Sequence, residues 1–246
     1  MAKNVLITGA ASGMGLLLSQ CYAREGANVA MADVNEEGLR ACAEEIRGYP
    51  ANVLELALDV RKYDEVERAC GRVAEAFGGI DILINCAGGA ECRILGVSGE
   101  FQNIPVEVFD YGIDLNLKGV IYFDHAVMKH MARQKSGVII HLGSITGLEG
   151  CPDSVAYSAS KSALMFGMTK SIALAGAKYN VRCVAIAPGP VLTRPGMANM
   201  KTMAGRAADP QEIVDLIMFA AGDKGRFING TYILADGGRN VMLNKT

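Results

Sequence analysis

Seven short apolar runs, the first six each followed by a stretch of helical period, leave this chain few ways to fold. The runs cover 4–8, 27–33, 53–59, 80–85, 137–142, 181–186 and 231–234. They are rich in β-branched residues and apolar at consecutive positions, so both faces of each strand must be covered. Amphipathic segments at 13–25, 36–46, 64–77, 106–134, 156–179 and 210–221 supply that cover. Parallel strands need long crossovers, and helices of this length provide them. Right-handed crossovers then give an α/β fold, a doubly wound parallel sheet of Rossmann-like form. No Pro/Ser-rich linker, low-complexity tract or solenoid-length repeat interrupts the pattern, so residues 1–246 are expected to form a single domain.

In such a sheet ligands bind beyond the carboxyl ends of the strands. The residues ending these runs include Thr8-Gly9, Asp33, Asp59, Asn85, Ser144 and Pro188-Gly189, a row of polar and glycine residues along one edge. The first of them opens the loop TGAASGMG at 8–15, between a strand and a helix. Glycine lets backbone approach a phosphate closely, and a helix N-terminus offers unpaired N–H groups and a positive dipole. Alone, the loop reads equally as a flexible turn. Asp33 adds weight to the phosphate reading: it ends the second strand 18 residues after Gly15, where a carboxylate can accept both hydroxyls of an adenine ribose. It would repel a 2′-phosphate, no base follows in VNEE, and position 12 is Ser, so the expected cofactor is NAD, with NADP less favoured.

A second cluster lies in SITGLEGCPDSVAYSASK at 144–161. Tyr157 and Lys161 are four apart and share a helix face, with Ser144 13 residues earlier, just past VIIHL. A phenol is a poor base at neutral pH, but nearby positive charge favours its anion. It could then exchange a proton with an alcohol or ketone oxygen while Ser144 orients that oxygen. A Tyr–Lys pair at this spacing is also common as a solvated surface pair.

These residues converge in TGAASGMG, Asp59-Val60, NCAG at 85–88, Asn116, Ser144, YSASK at 157–161, PGPV at 188–191 and DGG at 236–238. In this order the chain resembles the short-chain dehydrogenase/reductase superfamily in its single-domain form, over nearly its whole length. The resemblance implies that Thr8, Gly9, Gly13, Met14 and Gly15 shape a pyrophosphate loop, with Asp33 at the ribose and Asp59 and Val60 at the adenine. It implies that Asn85, Ala87 and Gly88 line the adenosine and ribose side, and that Pro188, Gly189, Val191 and Thr193 meet the nicotinamide carboxamide. Ser144 would polarise the substrate oxygen, Tyr157 would be the acid/base, and Lys161 would hold the nicotinamide ribose and lower the tyrosine pKa. Asn116 would anchor a water that relays protons from Lys161. Cys86 departs from the family's usual Asn. A homotetramer, or a homodimer, built largely on 106–134 and 156–179 is implied as well.

Bulk properties narrow the partners. The formal net charge of −2, from 24 Lys+Arg against 26 Asp+Glu in scattered positions, gives no footprint for nucleic acid or an anionic membrane. Seven cysteines without a C-x-x-C, and three histidines, argue against a disulfide framework or a metal site. The apolar start in MAKNVLITGA is too short for a secretory signal, and no stretch approaches the roughly 18 apolar residues of a membrane span. A cytoplasmic enzyme acting on a small-molecule alcohol or ketone is expected.

Substrate choice should come from loops 89–104, 146–156 and 193–209, the first longer and the last shorter than usual for the family. Glu91, Arg93, Glu149, Asp153 and Arg194 are the charged candidates for facing a polar substrate, each also readable as an ordinary solvated loop residue, and His141 is read as a core histidine. The leaning is towards a small polyol, sugar or hydroxy acid. The alternatives are a keto-acyl thioester reductase using NADPH and a low-turnover NAD-binding sensor or scaffold.

Overall fold

Successive residues of each apolar run turn to opposite faces of one sheet. In the computed structural model, which describes residues 2–245, the strands are β1 (Asn4–Thr8), β2 (Asn28–Asp33), β3 (Val53–Ala57), β4 (Ile82–Asn85), β5 (Gly137–Leu142), β6 (Val181–Pro188) and β7 (Thr231–Ala235). They lie in the order β3-β2-β1-β4-β5-β6-β7, all parallel. Helices α1 (Gly13–Arg24), α2 (Glu36–Ile46) and α10 (Pro210–Ala221) cover one face, where Val5, Ile7, Val29, Met31 and Ile84 meet Leu18, Leu39 and Ile217. Helices α3 (Tyr63–Phe77), α6 (Gly119–Gln134) and α9 (Thr169–Gly176) cover the other, where Leu6, Ala30, Leu83 and Ile139 meet Val66, Val73, Phe123 and Val127. Burying each large aliphatic side chain contributes about 1.5–3 kcal/mol, so two apolar faces give the sheet two cores.

With both faces apolar, a one-residue slip would not expose a polar side, so alternation alone cannot fix register. Polar groups at the amino edge do. Asn52 Nδ2 donates to Asn28 Oδ1, Asn28 Nδ2 donates to Asn4 Oδ1, and the Asn4 N–H donates to Asp81, each at 2.8 Å. The carboxyl edge is thereby left free for loops.

The strand and helix pattern is as the sequence predicts, with differences at the ends. β3 stops at Ala57, because the Leu58 N–H makes one more bond to the Asp33 carbonyl and Asp59 then turns to Arg61. β6 and β7 run on to Pro188 and Ala235, which pair with each other. The two long helices each contain one widened, π-type turn. α5 (Val106–Ile113) joins α6 through Asp114–Lys118, and α8 (Val155–Ala163) joins α9 through Leu164–Met168. A widened turn frees carbonyls, and side chains take them: Asn116 Nδ2 donates to Gly112 O at 2.9 Å, and Thr169 Oγ1 donates to Leu164 O at 2.6 Å. Short helices α4 (Glu91–Leu95) and α7 (Thr146–Glu149) lie inside loops whose sequence gives no helical period.

Candidate active site

Strand order reverses between β1 and β4, and a crevice opens there at the carboxyl edge. On one side is the glycine loop. A Cβ on Gly15 would lie 2.2 Å from the Gly9 carbonyl oxygen, so α1 docks on the loop only because that residue is glycine. Gly13 has φ +54° and no protein atom within 4 Å of where its Cβ would stand, which leaves open space along the loop. Ser12 begins α1 in an extended conformation without a side-chain cap, and the first turn carries no acid. Its N–H groups and dipole are available to an anion. Thr8 Oγ1 accepts from the Ala87 N–H at 3.0 Å, which clasps the loops after β1 and β4 together.

Asp33 stands where β2 ends. Its Oδ2 accepts from the Ala11 N–H at 3.0 Å and its Oδ1 from the Asn35 N–H at 2.9 Å, so the carboxylate is fixed beside the glycine loop. The Asp59 carboxylate is gripped by Arg61, which holds it below the usual carboxylate range, and Arg61 in turn stacks 4.6 Å from the Tyr111 ring. Val60 is buried against Gly119, with both its side chain and its carbonyl close to that glycine. These residues suit a dinucleotide: donors for a pyrophosphate, a carboxylate for a diol, and open space between them.

Asn85 turns away from the crevice. Its Nδ2 donates to buried Asp124 Oδ1 at 2.9 Å, while Ala87 and Gly88 remain at the edge. Asp124 Oδ2 lies 2.8 Å from His141 Nε2, and His141 Nδ1 lies 2.9 Å from Thr169 Oγ1. The Thr169 proton is committed to Leu164 O, so Thr169 must accept from Nδ1. Both ring nitrogens therefore donate, and His141 is an imidazolium. Burial works against that charge, but Asp124 and Cys183 beside the ring outweigh it and raise the pKa to about 10. His141 is a core histidine, as its sequence context predicts, and it ties β4, β5, α6 and α9 together beneath the site.

On the other side of the crevice Ser144, Tyr157 and Lys161 come together. Ser144 follows β5, and its Oγ accepts from the Thr146 N–H at 3.1 Å, keeping its own proton free to donate. Tyr157 and Lys161 share a face of α8, with Lys161 Nζ 5.5 Å from the phenol ring centroid. Lys161 is buried, donates to the Leu142 carbonyl at 2.6 Å, and is drawn by burial to a pKa of about 8. Burial also raises the Tyr157 pKa. Hydrogen bonding from Ser144 and the charges of Arg194 and Arg93 oppose that rise. Arg194 and Arg93 are thus the charges that favour the phenolate, while Lys161 lies beside the ring. Cys86, where the family usually has Asn, is half-buried, and desolvation pushes its thiol up to about 12 so that it takes no charge here.

Asn116 sits in the first widened turn. Its Oδ1 accepts from the Gly89 N–H at 2.8 Å, and its Nδ2 donates to Gly89 O at 3.0 Å and to Gly112 O. The amide pins the strand-following segment next to Gly88. Beyond β6, the Gly189 N–H donates to Ala235 O at 2.9 Å and Pro188 O accepts from the Ile145 N–H at 2.8 Å, joining this segment to the Ser144 loop. Val191 is buried and Thr193 exposed.

Two residues at the site were not assigned these places from the sequence. Glu91 is fully buried rather than facing substrate, and its Oε1 and Oε2 accept from the Ala156 and Tyr157 N–H groups at 2.9 and 3.0 Å. A carboxylate from α4 thus caps the helix that carries Tyr157, and charge and dipole agree. The signal was available only as an acid in a loop, because its target is 65 residues away. Asp124 likewise reads as an ordinary helical acid until the fold brings His141 to it. Glu149 is also spent, pairing with Arg239 at 3.0 Å and Lys245 at 2.8 Å.

The geometry can be set beside known proteins. A family model described as short chain dehydrogenase matches residues 3–204. The chain is 34% identical over 96% of its length, and 97% of the relative's, to 3-oxoacyl-(acyl-carrier-protein) reductase FabG of Thermotoga maritima. It is 36% identical over 98% of its length, and 94% of the relative's, to trans-4-hydroxycyclohexanecarboxylate dehydrogenase of Sinomonas cyclohexanicum. A crystal structure of NAD+-bound xylitol dehydrogenase superposes with a TM-score of 0.87 at 27% identity, covering 96% of this chain and 98% of that one. Seven parallel strands, the glycine loop and the Ser144, Tyr157 and Lys161 cluster therefore have an accepted home: the chain belongs to the short-chain dehydrogenase family of oxidoreductases.

Proposed function

We propose that the chain is an NAD-dependent dehydrogenase that interconverts a secondary alcohol and a ketone, with Tyr157 as its acid/base. The observation that carries this reading is the meeting of Ser144, Tyr157 and Lys161 on the sheet edge where Asp33 ends β2. The dinucleotide, when bound, supplies the hydride acceptor or donor. Thr8, Gly9, Gly13, Met14 and Gly15 hold its pyrophosphate at the α1 N-terminus. Asp33 accepts from the ribose hydroxyls, Asp59 and the Val60 backbone meet the adenine, and Ala87 and Gly88 line the ribose side. Pro188, Gly189, Val191 and Thr193 meet the nicotinamide end.

Ser144 donates to the substrate oxygen and orients it, while the Tyr157 phenolate takes the hydroxyl proton as hydride leaves the carbinol carbon. In the opposite direction Tyr157 returns that proton. Lys161 holds the ribose, and Asn116 lies on the path by which its proton exchanges with solvent. NAD is preferred because the Asp33 carboxylate occupies the place of a 2′-phosphate, and Glu36 and Glu37 follow at the start of α2.

The substrate is a small polyol, sugar or hydroxy acid. A keto-acyl thioester reductase using NADPH is the second reading, supported by the Thermotoga relative and opposed by Asp33. An NAD-binding sensor needs no acid/base, and the complete Ser144, Tyr157 and Lys161 set supports turnover instead. Seven free cysteines suit the reducing cytoplasm. Phe166, in the widened turn between α8 and α9, and Leu174, on α9, are exposed and suit the face of a homotetramer or homodimer, which sedimentation would test.

The test mixes protein with NAD or NADP and a panel of polyols, sugars, hydroxy acids and ketones, following the absorbance of the reduced nicotinamide. NAD should exceed NADP in kcat/KM by about tenfold or more, the equivalent of ~1.4 kcal/mol, and Asp33→Ala should erase the margin. Equal use of NADP by the unmodified protein would overturn the assignment of Asp33.

A further inference from the structure

The five charged loop residues that the sequence offers as substrate contacts meet different fates. Glu91 is buried in the α8 cap and Glu149 is paired with Arg239 and Lys245. Asp153 is exposed and makes no ion pair among the described residues. Arg93 and Arg194 remain. Arg93 comes from α4, two residues after the Glu91 that accepts from the Tyr157 N–H, and Arg194 from the residue before the short helix Pro195–Asn199, about a hundred positions on; the charges of both bear on the Tyr157 phenol.

Neither arginine has a counter-ion. Among the described residues Arg93 has no hydrogen bond or ion pair, and Arg194 only reaches the Met197 sulfur, Nη2 to Sδ at 3.5 Å. The other arginine of loop 193–209 shows what a structural pairing looks like: Arg206 binds Glu212 with Nη1 and Nη2 at 2.6 and 2.8 Å. The Arg93 guanidinium also lies against Gly89. A Cβ on Gly89 would lie 2.6 Å from its Nη2, and Gly89 is the residue whose backbone Asn116 pins. Each guanidinium favours the Tyr157 anion, Arg194 also bears on Arg93, and burial adds to the cost of the Arg93 charge. Two like charges whose fields meet at a phenol, with Glu91 and Glu149 spent on other partners and Asp153 paired to neither arginine among the described residues, leave positive potential over the reacting oxygen.

We propose that the substrate is an anionic secondary alcohol or its ketone, with a carboxylate, sulfonate or phosphate seated between Arg93 and Arg194 while the reacting carbon faces Tyr157. This rests on the dehydrogenase reading above and selects the acid from among polyol, sugar and acid. Guanidinium groups suit such anions because they can bind two oxygens at once.

The experiment uses matched pairs: 3-hydroxybutyrate against its methyl ester and amide, with NAD, on the unmodified protein and on Arg93→Gln, Arg194→Gln and the double variant. The anion should be favoured in kcat/KM by about tenfold or more, chiefly through KM, and the anion-to-ester ratio should fall towards unity in the double variant. Arg194→Lys should keep part of the ratio. Both side chains are exposed, so melting temperature checks that the variants fold. Calorimetric titration with 3-oxobutyrate and its ester gives a readout that needs no turnover. Anion binding lost in the double variant, with no turnover of any panel member, would uphold the arginine site and overturn the dehydrogenase reading. Turnover that favours ester, amide or polyol over the acid would overturn the arginine site and leave the dehydrogenase reading standing. A ratio that survives in the double variant would also overturn it.

Discussion

At the β1–β2 end of the sheet edge the working parts are mostly backbone: a glycine loop, the first turn of α1, and one carboxylate held by two N–H groups. At the rim formed by loops 89–104, 146–156 and 193–209 they are side chains whose partners come from distant positions. The same crevice is thus built in two ways. The first way depends on which residues lack a Cβ and on where strands end. The second depends on which charges find partners, as Glu91 and Glu149 do and as Arg93 and Arg194 do not.

The sharpest way to break the backbone half is Gly15→Ala. Its methyl would lie 2.2 Å from the Gly9 carbonyl oxygen, and α1 must shift off the loop. Overpacking of this kind costs about 1–3 kcal/mol or more, so melting temperature should fall and NAD affinity should drop at least tenfold. Unchanged affinity by calorimetry would mean that the loop does not carry the dinucleotide.

On the rim the corresponding prediction is Glu91→Ala. It orphans the Ala156 and Tyr157 N–H groups, at a cost of about 1–3 kcal/mol, and loosens the helix that aims Tyr157. We expect kcat to fall while NAD affinity holds. Glu91→Gln, whose amide oxygen can still accept one bond, should recover part of both stability and kcat. If Glu91→Ala changes stability by less than about 0.5 kcal/mol, Glu91 is an ordinary surface acid and the contrast between the two halves weakens.

These two residues also show what the sequence could and could not disclose. Gly15 stands in the sequence where α1 packs on the Gly9 carbonyl, because a strand, a tight turn and a helix leave little freedom in where glycine must fall. The seven strands were legible for the same reason, as consecutive apolar residues have one stable arrangement in a covered parallel sheet. Glu91 was placed on the wrong side of its loop, because nothing local distinguishes a carboxylate that caps a helix 65 positions away from one that faces solvent. Asn85 turned inward for a similar reason: its partner, Asp124, is set by the packing of α6 on the sheet. The widened turns at Asp114–Lys118 and Leu164–Met168 escaped because one extra residue in a long helix hardly disturbs its apolar period.

A smaller effect tests what lies beneath both halves. The His141 pKa rises from 6.5 to about 10, so the charged pair with Asp124 stabilises the fold fully below about pH 6.5 and loses that contribution as pH rises through 10. Melting temperature should decline between these limits, and Asp124→Asn should flatten the decline while lowering stability throughout. A profile with equal slopes in both proteins would show that His141 is neutral in the folded state.

The most direct test of the central claim is Tyr157→Phe, which keeps the ring beside Lys161 and removes only the hydroxyl. With NAD and any alcohol that the unmodified protein oxidises, turnover should fall by about 10²–10⁴-fold while NAD binding, read by calorimetry, stays within a few-fold. Oxidation that continues at a comparable rate in Tyr157→Phe would contradict the assignment of this site as the place where the proton is moved.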